Sequence, residues 1–356
     1  MIKGLSPALE RILTAGNSAP SGENCQPWHF IVRQGTTVEV HLLPDRDQSA
    51  YSWGQRSSYL ANGAAIENMT IAASKEGLMA NVEYFPASRN KWHVANLAFE
   101  SCQREPHPLA PWIKERVSNR KLYDVRPLSK AERNVLVAVG DERCAVVLVD
   151  DQVTLKRLAR IGATNEEVML GNRTLHNFFF THVSWSKEED NAKKVGFYIK
   201  TLELPPPAEK MFALLSYWPA MKILSKAGLN RVVAAQNASV NRTAAAMAGF
   251  LMTGTEPLDF VTAGRIIERF WLTATSLGLS CQPLTGMLFL ALQISNDGMG
   301  PFTRREREMI AAQVQEASAI MDADDKHLGF IMRVGRAVPP TAKAGRFPLH
   351  EIVEIA

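Results

Sequence analysis

The stretch GAAIENMTIAASKEGL, Gly63 to Leu78, has a counterpart much later in the chain, GRIIERFWLTATSLGL, Gly264 to Leu279. Laid together without a gap, the two share the first Gly, an Ile-Glu pair (Ile66-Glu67 and Ile267-Glu268), an Ala and a closing Gly-Leu. Each carries apolar residues at helical spacing, so each predicts an amphipathic helix. Two such helices can match by chance, and the neighbouring segments decide the matter. Before the first helix, Ser6-Pro7 followed by Ala8, Leu9, Ile12 and Leu13 reads as a capped helix stopped by Gly16 and Asn17. WHFIVRQ and VEVHLL, joined by Gly-Thr-Thr, read as a hairpin, and NVEYF and HVANLAF follow the helix as strands. The second half repeats this order. SKAERNVLVAVG opens with a capping box (Ser129, Glu132), CAVVLVD and GFLMTG are strand-like, and GFIMRVGR follows the second long helix. The shared order of elements implies an internal duplication. Residues from about 170 to 245, with FFFTHVSW, Pro205-Pro206-Pro207 and MFALLSYWPAMKIL, have no counterpart and form either an extra helical subdomain or a lid.

Composition sets the outer limits. With 356 residues, 46% of them hydrophobic, the chain can bury a large core. A net charge of +4, spread among interspersed acids and bases, does not point to nucleic acid or an anionic membrane. It favours a small-molecule ligand or a protein partner. Cys25, Cys102, Cys144 and Cys281 make no metal-binding spacing and read as free thiols of a reducing cytoplasm. No signal-peptide core opens the chain, and no apolar run reaches the roughly 20 residues of a membrane span, so a cytoplasmic protein is expected.

Four short segments carry candidate chemistry. In RVSNR, an extended backbone puts Arg116, Ser118 and Arg120 on one face, a phosphate-binding geometry or else an ordinary solvated stretch. In SCQPLTG, Pro283, Leu284, Thr285 and Gly286 form a tight turn whose N–H groups face a close-lying ligand, or simply connect a helix to its neighbour. In AKAGRFPLHEIV, Arg346 is a further phosphate contact or a surface cation. APSGENCQPWHF offers Ser21, Asn24 and Gln26 as hydrogen-bonding groups ahead of a packed strand.

Together the four segments resemble the nitroreductase family of flavin enzymes. The matches are Arg116-x-Ser118-x-Arg120, Pro20-Ser21-x-x-Asn24-x-Gln26-Pro27-Trp28, Gly278-Leu279-x-x-x-Pro283-x-x-Gly286 and the basic Arg346 near the C-terminus. In family members of ordinary length RxSxR precedes PSxxNxQPW, and FMN lies at a dimer interface. Here the order is divided. The first half holds PSxxNxQPW but lacks RxSxR and the Pro-x-x-Gly turn, whereas the second half holds both of those and has DERCAVVLVD in place of PSxxNxQPW.

The resemblance therefore implies an α+β, nitroreductase-like fold built as an intramolecular pseudo-dimer, each repeat a mainly antiparallel sheet packed with helices. Residues 1–108 would be the first half and 109–356 the second, with the helical insertion inside it. It implies one FMN site, with Arg116, Ser118, Arg120 and Arg346 on the phosphate and ribityl hydroxyls. Pro283, Leu284, Thr285 and Gly286 would lie by the isoalloxazine, and Ser21, Asn24 and Gln26 would come from the other repeat. The implied activity is that of an FMN-dependent oxidoreductase passing a hydride from NAD(P)H to a quinone or nitroaromatic-like acceptor in ping-pong order. The chemistry belongs to the flavin, so no catalytic side chain and no metal is expected. The chain would act as a monomeric pseudo-dimer or a homodimer. The alternatives are a flavin-sequestering protein whose lid limits turnover, and a structural remnant that binds no flavin.

Overall fold

The computed structural model describes residues 4–87, 89–297 and 300–356. The first repeat runs α1 (Pro7–Asn17), β1 (Trp28–Arg33), β2 (Thr37–Leu42), α2 (Arg56–Lys75), β3 (Leu78–Tyr84) and β4 (His93–Ser101). The second begins with α3 (Lys130–Val137) and β5 (Cys144–Val149). An excursion follows: α4 (Gln152–Gly171), α5 (Arg173–Thr181), β6 (Val183–Ser184), α6 (Lys187–Lys193), β7 (Phe197–Tyr198), α7 (Pro206–Leu215), α8 (Trp218–Lys226) and α9 (Leu229–Asn241). The repeat resumes with β8 (Ala246–Met252), α10 (Pro257–Ser276), β9 (Ser280–Pro283), α11 (Gly286–Asp297), α12 (Arg304–Ile320) and β10 (His327–Gly335), and β11 (Val353–Ile355) closes the chain.

The sheets have matching topology. One has the order β11-β1-β2-β4-β3 and the other β5-β8-β10-β9, so β1, β2, β4 and β3 correspond in turn to β5, β8, β10 and β9. The β1–β2 and β5–β8 pairs are antiparallel, as are the pairs within each remaining set. The long helices α2 and α10 are both 20 residues, and each starts the same distance before its aligned glycine, Arg56 before Gly63 and Pro257 before Gly264. Each ends two residues before a glycine in the left-handed region, Gly77 (φ 66°) and Gly278 (φ 70°), where a residue with a Cβ is disfavoured. The excursion from α4 to α9 stands where the first repeat has only the short turn between β1 and β2. The pair α11–α12 stands where the first repeat has the β3–β4 connection.

The repeats meet through α2 and α10, and the contact is reciprocal. A methyl group on Gly63 would overlap the carbonyl oxygen of Val261, and one on Gly264 would overlap that of Leu60, each three residues before the opposite glycine. A contact in which i meets j and j meets i is the mark of a two-fold interface. One core spans both repeats: Trp28, Phe30 and Ile66 belong to the same buried cluster as Phe250, Phe270 and Trp271. The C-terminal β11 leaves the second repeat and pairs in parallel with β1, Phe30 opposite Val353, so the tail clasps the first repeat. Among the described residues no helix is long and apolar enough to cross a membrane.

Candidate functional site

RVSNR runs alongside β9. Ser118 forms a parallel bridge with Cys281, and the Asn119 N–H donates to the Cys281 carbonyl at 2.9 Å. The extended backbone sends Asn119 inward, where its amide donates to Ser280 Oγ (3.1 Å) and the Val338 carbonyl (2.9 Å). Arg116, Ser118 and Arg120 consequently face the other way, into a cavity of about 260 Å³. Arg333, fully buried on β10, holds this strand in place by donating to the carbonyls of Asn119 (3.3 Å) and Lys121 (2.9 Å) and to Gln282 Oε1 (2.8 Å).

The same cavity is lined by Ser21 and Asn24 of the first repeat, by Arg346 of the tail, and by Gly196, Phe197 and Thr201 of the excursion. The first-repeat loop is unusual. Glu23 (φ 44°), Asn24 (φ 53°) and Gln26 (φ 49°) all lie in the left-handed region, which for residues with a Cβ costs roughly 1–3 kcal/mol each. Hydrogen bonds from distant segments hold them there. Asn24 Nδ2 donates to the carbonyls of Lys194 and Gly345, both at 3.0 Å, and its Oδ1 accepts from Arg346 Nη1 at 2.6 Å. Gln26 is fully buried: its Nε2 donates to the Lys194 carbonyl (2.7 Å) and its Oε1 accepts from the Phe347 N–H (2.9 Å). Gln26 thus uses its amide within the protein and is not among the cavity-lining residues.

Pro283, Leu284, Thr285 and Gly286 are not among the residues lining this cavity. Pro283 pairs with Met332, the Leu284 N–H and Thr285 Oγ1 both donate to the Ile331 carbonyl, at 2.9 and 3.1 Å, and Leu284 lies over Gly162 of α4. A Cβ on Gly286 would come within 2.4 Å of Asn165 Oδ1 on α4, so the Asn165 side chain would have to move aside. Among the described residues, Asn165 Oδ1 and Glu166 Oε2 are buried without a hydrogen bond of good geometry. Burial pushes the Glu166 carboxyl up to about 7, and burial together with the charge of Asp47 pushes Glu23 up to about 8. Tyr51 is raised as well, by burial and then by the charges of Glu23 and Glu166, so it stands within electrostatic reach of both the loop and α4.

The cationic wall has its own signature. Arg116 Nε lies 3.0 Å from Glu268 Oε1 on α10, and its Nη2 donates to the Ser18 carbonyl at 2.6 Å. Burial raises Glu268 to about 7 against the opposing pull of Arg116. Burial, then the charge of Arg116, lowers Arg346 to about 10, and burial, then Arg333, lowers Arg120. Burial is the leading cause in both, and a neighbouring guanidinium adds to it, so positive charge is concentrated on this wall. Glu23, Tyr51, Asn165, Glu166 and Glu268 carry no local signal of this role. Only Glu268 stood out in the sequence, as half of the repeated Ile-Glu pair.

No family model matches the chain. An uncharacterized protein of Mycobacterium tuberculosis is 23% identical over 354 residues, which is 98% of this chain and 48% of that protein. The chain therefore spans about half the length of that relative. A second M. tuberculosis protein, named "Putative NAD(P)H nitroreductase", is 25% identical over 295 residues, 80% of this chain and 77% of its own. Among solved structures, nitroreductase A from Vibrio parahaemolyticus aligns at a TM-score of 0.37 and 12% identity, covering 68% of this chain and 73% of that one.

Proposed function

We propose that this chain, a homologue of a mycobacterial protein named for NAD(P)H nitroreductase activity, is an FMN-dependent NAD(P)H oxidoreductase with one flavin site completed across its two repeats. The observation that carries the reading is the convergence of Arg116, Arg120 and Arg346 with Ser118, Ser21 and Asn24 on one cavity, drawn from RVSNR, the first-repeat loop and the tail. A phosphoryl group suits this donor set, since three guanidiniums and a hydroxyl around one cavity match a multiply charged oxygen acceptor. In this reading the cavity would take the phosphate and adjoining hydroxylated chain, and the ring would lie by Pro283, Leu284, Thr285 and Gly286, an assignment that rests on the family resemblance of that turn.

FMN, when bound, would supply the hydride chemistry linking NAD(P)H to a quinone or nitroaromatic-like acceptor in ping-pong order. The protein's own residues bind and orient. Arg116 and Arg120 carry the charge, with Ser118 between them. Arg346, whose donors reach Asn24 Oδ1 and the carbonyls of Asn17 and Ala19, holds the loop in register and adds its field. The excursion is tied to the site, since the Gly196 N–H donates to the Glu23 carbonyl at 2.7 Å and Arg120 Nη1 to the Thr201 carbonyl at 3.0 Å. Glu23 and Glu166, raised to about 8 and about 7, keep protons near neutrality and so spare the site extra negative charge.

The test is reconstitution with FMN followed by anaerobic addition of NADH and NADPH. About one FMN per chain, bleached by one of the nucleotides and restored by a quinone, is expected. No flavin binding would sink the reading, and tight FMN that neither nucleotide reduces would leave a flavin-sequestering protein in its place.

A further inference from the structure

Away from this cavity, three strands of the first repeat bring a second group of residues together. The β1–β2 register sets His29 opposite His41, and the β2–β4 register sets His41 opposite His93. A bulge between Val40 and His41 shifts the pairing at that point, and bulges re-aim side chains. The rings of His41 and His93 stack, with centroids 4.4 Å apart and planes at 21°. Glu39, two residues before His41, lies on the same face by the period of the strand. One ligand atom from each of Glu39, His41 and His93 falls within 4.8 Å of the others.

We propose that Glu39, His41 and His93 bind a divalent transition-metal cation of the zinc class. Two imidazoles and a carboxylate match the borderline preference of such ions, whereas magnesium and calcium select all-oxygen sets. In a tetrahedral site with bonds near 2.0–2.1 Å the ligand atoms sit about 3.3 Å apart, so side-chain adjustments on the order of an ångström close the triad. Supporting contacts already exist. Arg33 Nε donates to Glu39 Oε1 at 2.9 Å and leaves Oε2 turned to His41. The ring of His93 is tied through Nε2 to Asn96 Oδ1 at 2.8 Å, and Asn96 Nδ2 in turn donates to Glu83 Oε2 at 3.2 Å. Outer hydrogen bonds of this kind orient ligands in metal sites. All three ligands are half-buried, and none lines the arginine cavity. The triad leaves one coordination position to water. No sequence spacing announces the site, because His41 and His93 are brought together only by strand pairing.

Chelator-treated full-length protein titrated with Zn²⁺ by calorimetry, and with Co²⁺ by visible absorption, tests the proposal. One ion per chain is expected, together with a cobalt spectrum of low coordination number and a rise in the thermal midpoint on adding Zn²⁺. His93→Asn and His41→Asn should each weaken binding at least tenfold, the lower end of what even outer-shell changes do to metal sites. His350→Ala, an exposed histidine elsewhere, should bind as wild type does. Melting curves in chelator check that the variants fold. Absence of Zn²⁺ binding by folded wild type, or equal binding by both asparagine variants and wild type, overturns the assignment.

Discussion

Nε of Arg116 lies 3.0 Å from Oε1 of Glu268, and the two side chains are 5% and 0% exposed. Neither Glu268 oxygen has a hydrogen bond of good geometry, so the pair is held by charge alone. A buried carboxylate raised to about 7 by its surroundings sits at its titration point under neutral conditions. Glu268 therefore competes with an incoming phosphate for Arg116 when ionised and releases it when protonated.

From this competition follows a pH-dependent effect of Glu268→Gln. Below pH 7 Glu268 is mostly protonated and the substitution should barely change FMN affinity. Above it, removal of the competing charge should tighten FMN. Fluorescence titrations at pH 6 and pH 8 check it, and equal effects at both would show that Glu268 does not compete.

Arg116→Ala should weaken FMN more than riboflavin, because the guanidinium addresses a phosphate that riboflavin lacks. A hydrogen bond to a charged group contributes about 1.5–3 kcal/mol, so a loss of about tenfold or more is expected for FMN. An equal loss for both flavins would assign Arg116 to folding.

Asn24→Ala tests whether the site spans the repeats. It removes the acceptor of Arg346 and the donor to the Lys194 and Gly345 carbonyls, so flavin affinity should fall although RVSNR is untouched. Circular dichroism should show an intact fold. Unchanged affinity would mean that the first-repeat loop takes no part.

The reciprocal glycines make a stability prediction. Gly63→Ala and Gly264→Ala each force a methyl group into a backbone carbonyl that cannot swing aside, and overpacking of this kind costs about 1–3 kcal/mol or more. Similar losses are expected for both. Gly22→Ala, where an added Cβ meets nothing within 4 Å, serves as the control. Urea melts measure all three.

Glu23 gives a signed dependence of stability on pH. Its folded value, about 8, exceeds its ordinary value of 4.5, so the folded protein holds a proton that the unfolded chain releases. The stability this contributes is complete below about pH 4.5 and is lost as pH rises through about 8. In melts at pH 5.5 and pH 8.5, Glu23→Gln should lose less stability than wild type between the two, and an identical loss would remove Glu23 from the account.

Much of the architecture was legible in the sequence because it rests on local periodicity and on chemistry at fixed spacing. The pairing of Gly63–Leu78 with Gly264–Leu279 marked the duplication, Ser6 and the Ser129–Glu132 capping box marked helix starts, and the alternation of Arg116, Ser118 and Arg120 already implied that they share a face. Only the tertiary structure decided what depends on long-range closure. It set Gln26 inside the protein, holding a strained loop, because a buried amide must find partners and these lie on Lys194 and Phe347, far along the chain. It carried β11 back to β1, placed Asn165 against Gly286, and stacked His41 on His93. It also set the charge states of Glu23, Glu166 and Glu268, since an ordinary carboxyl becomes a proton holder near neutrality only when distant segments of the chain close around it.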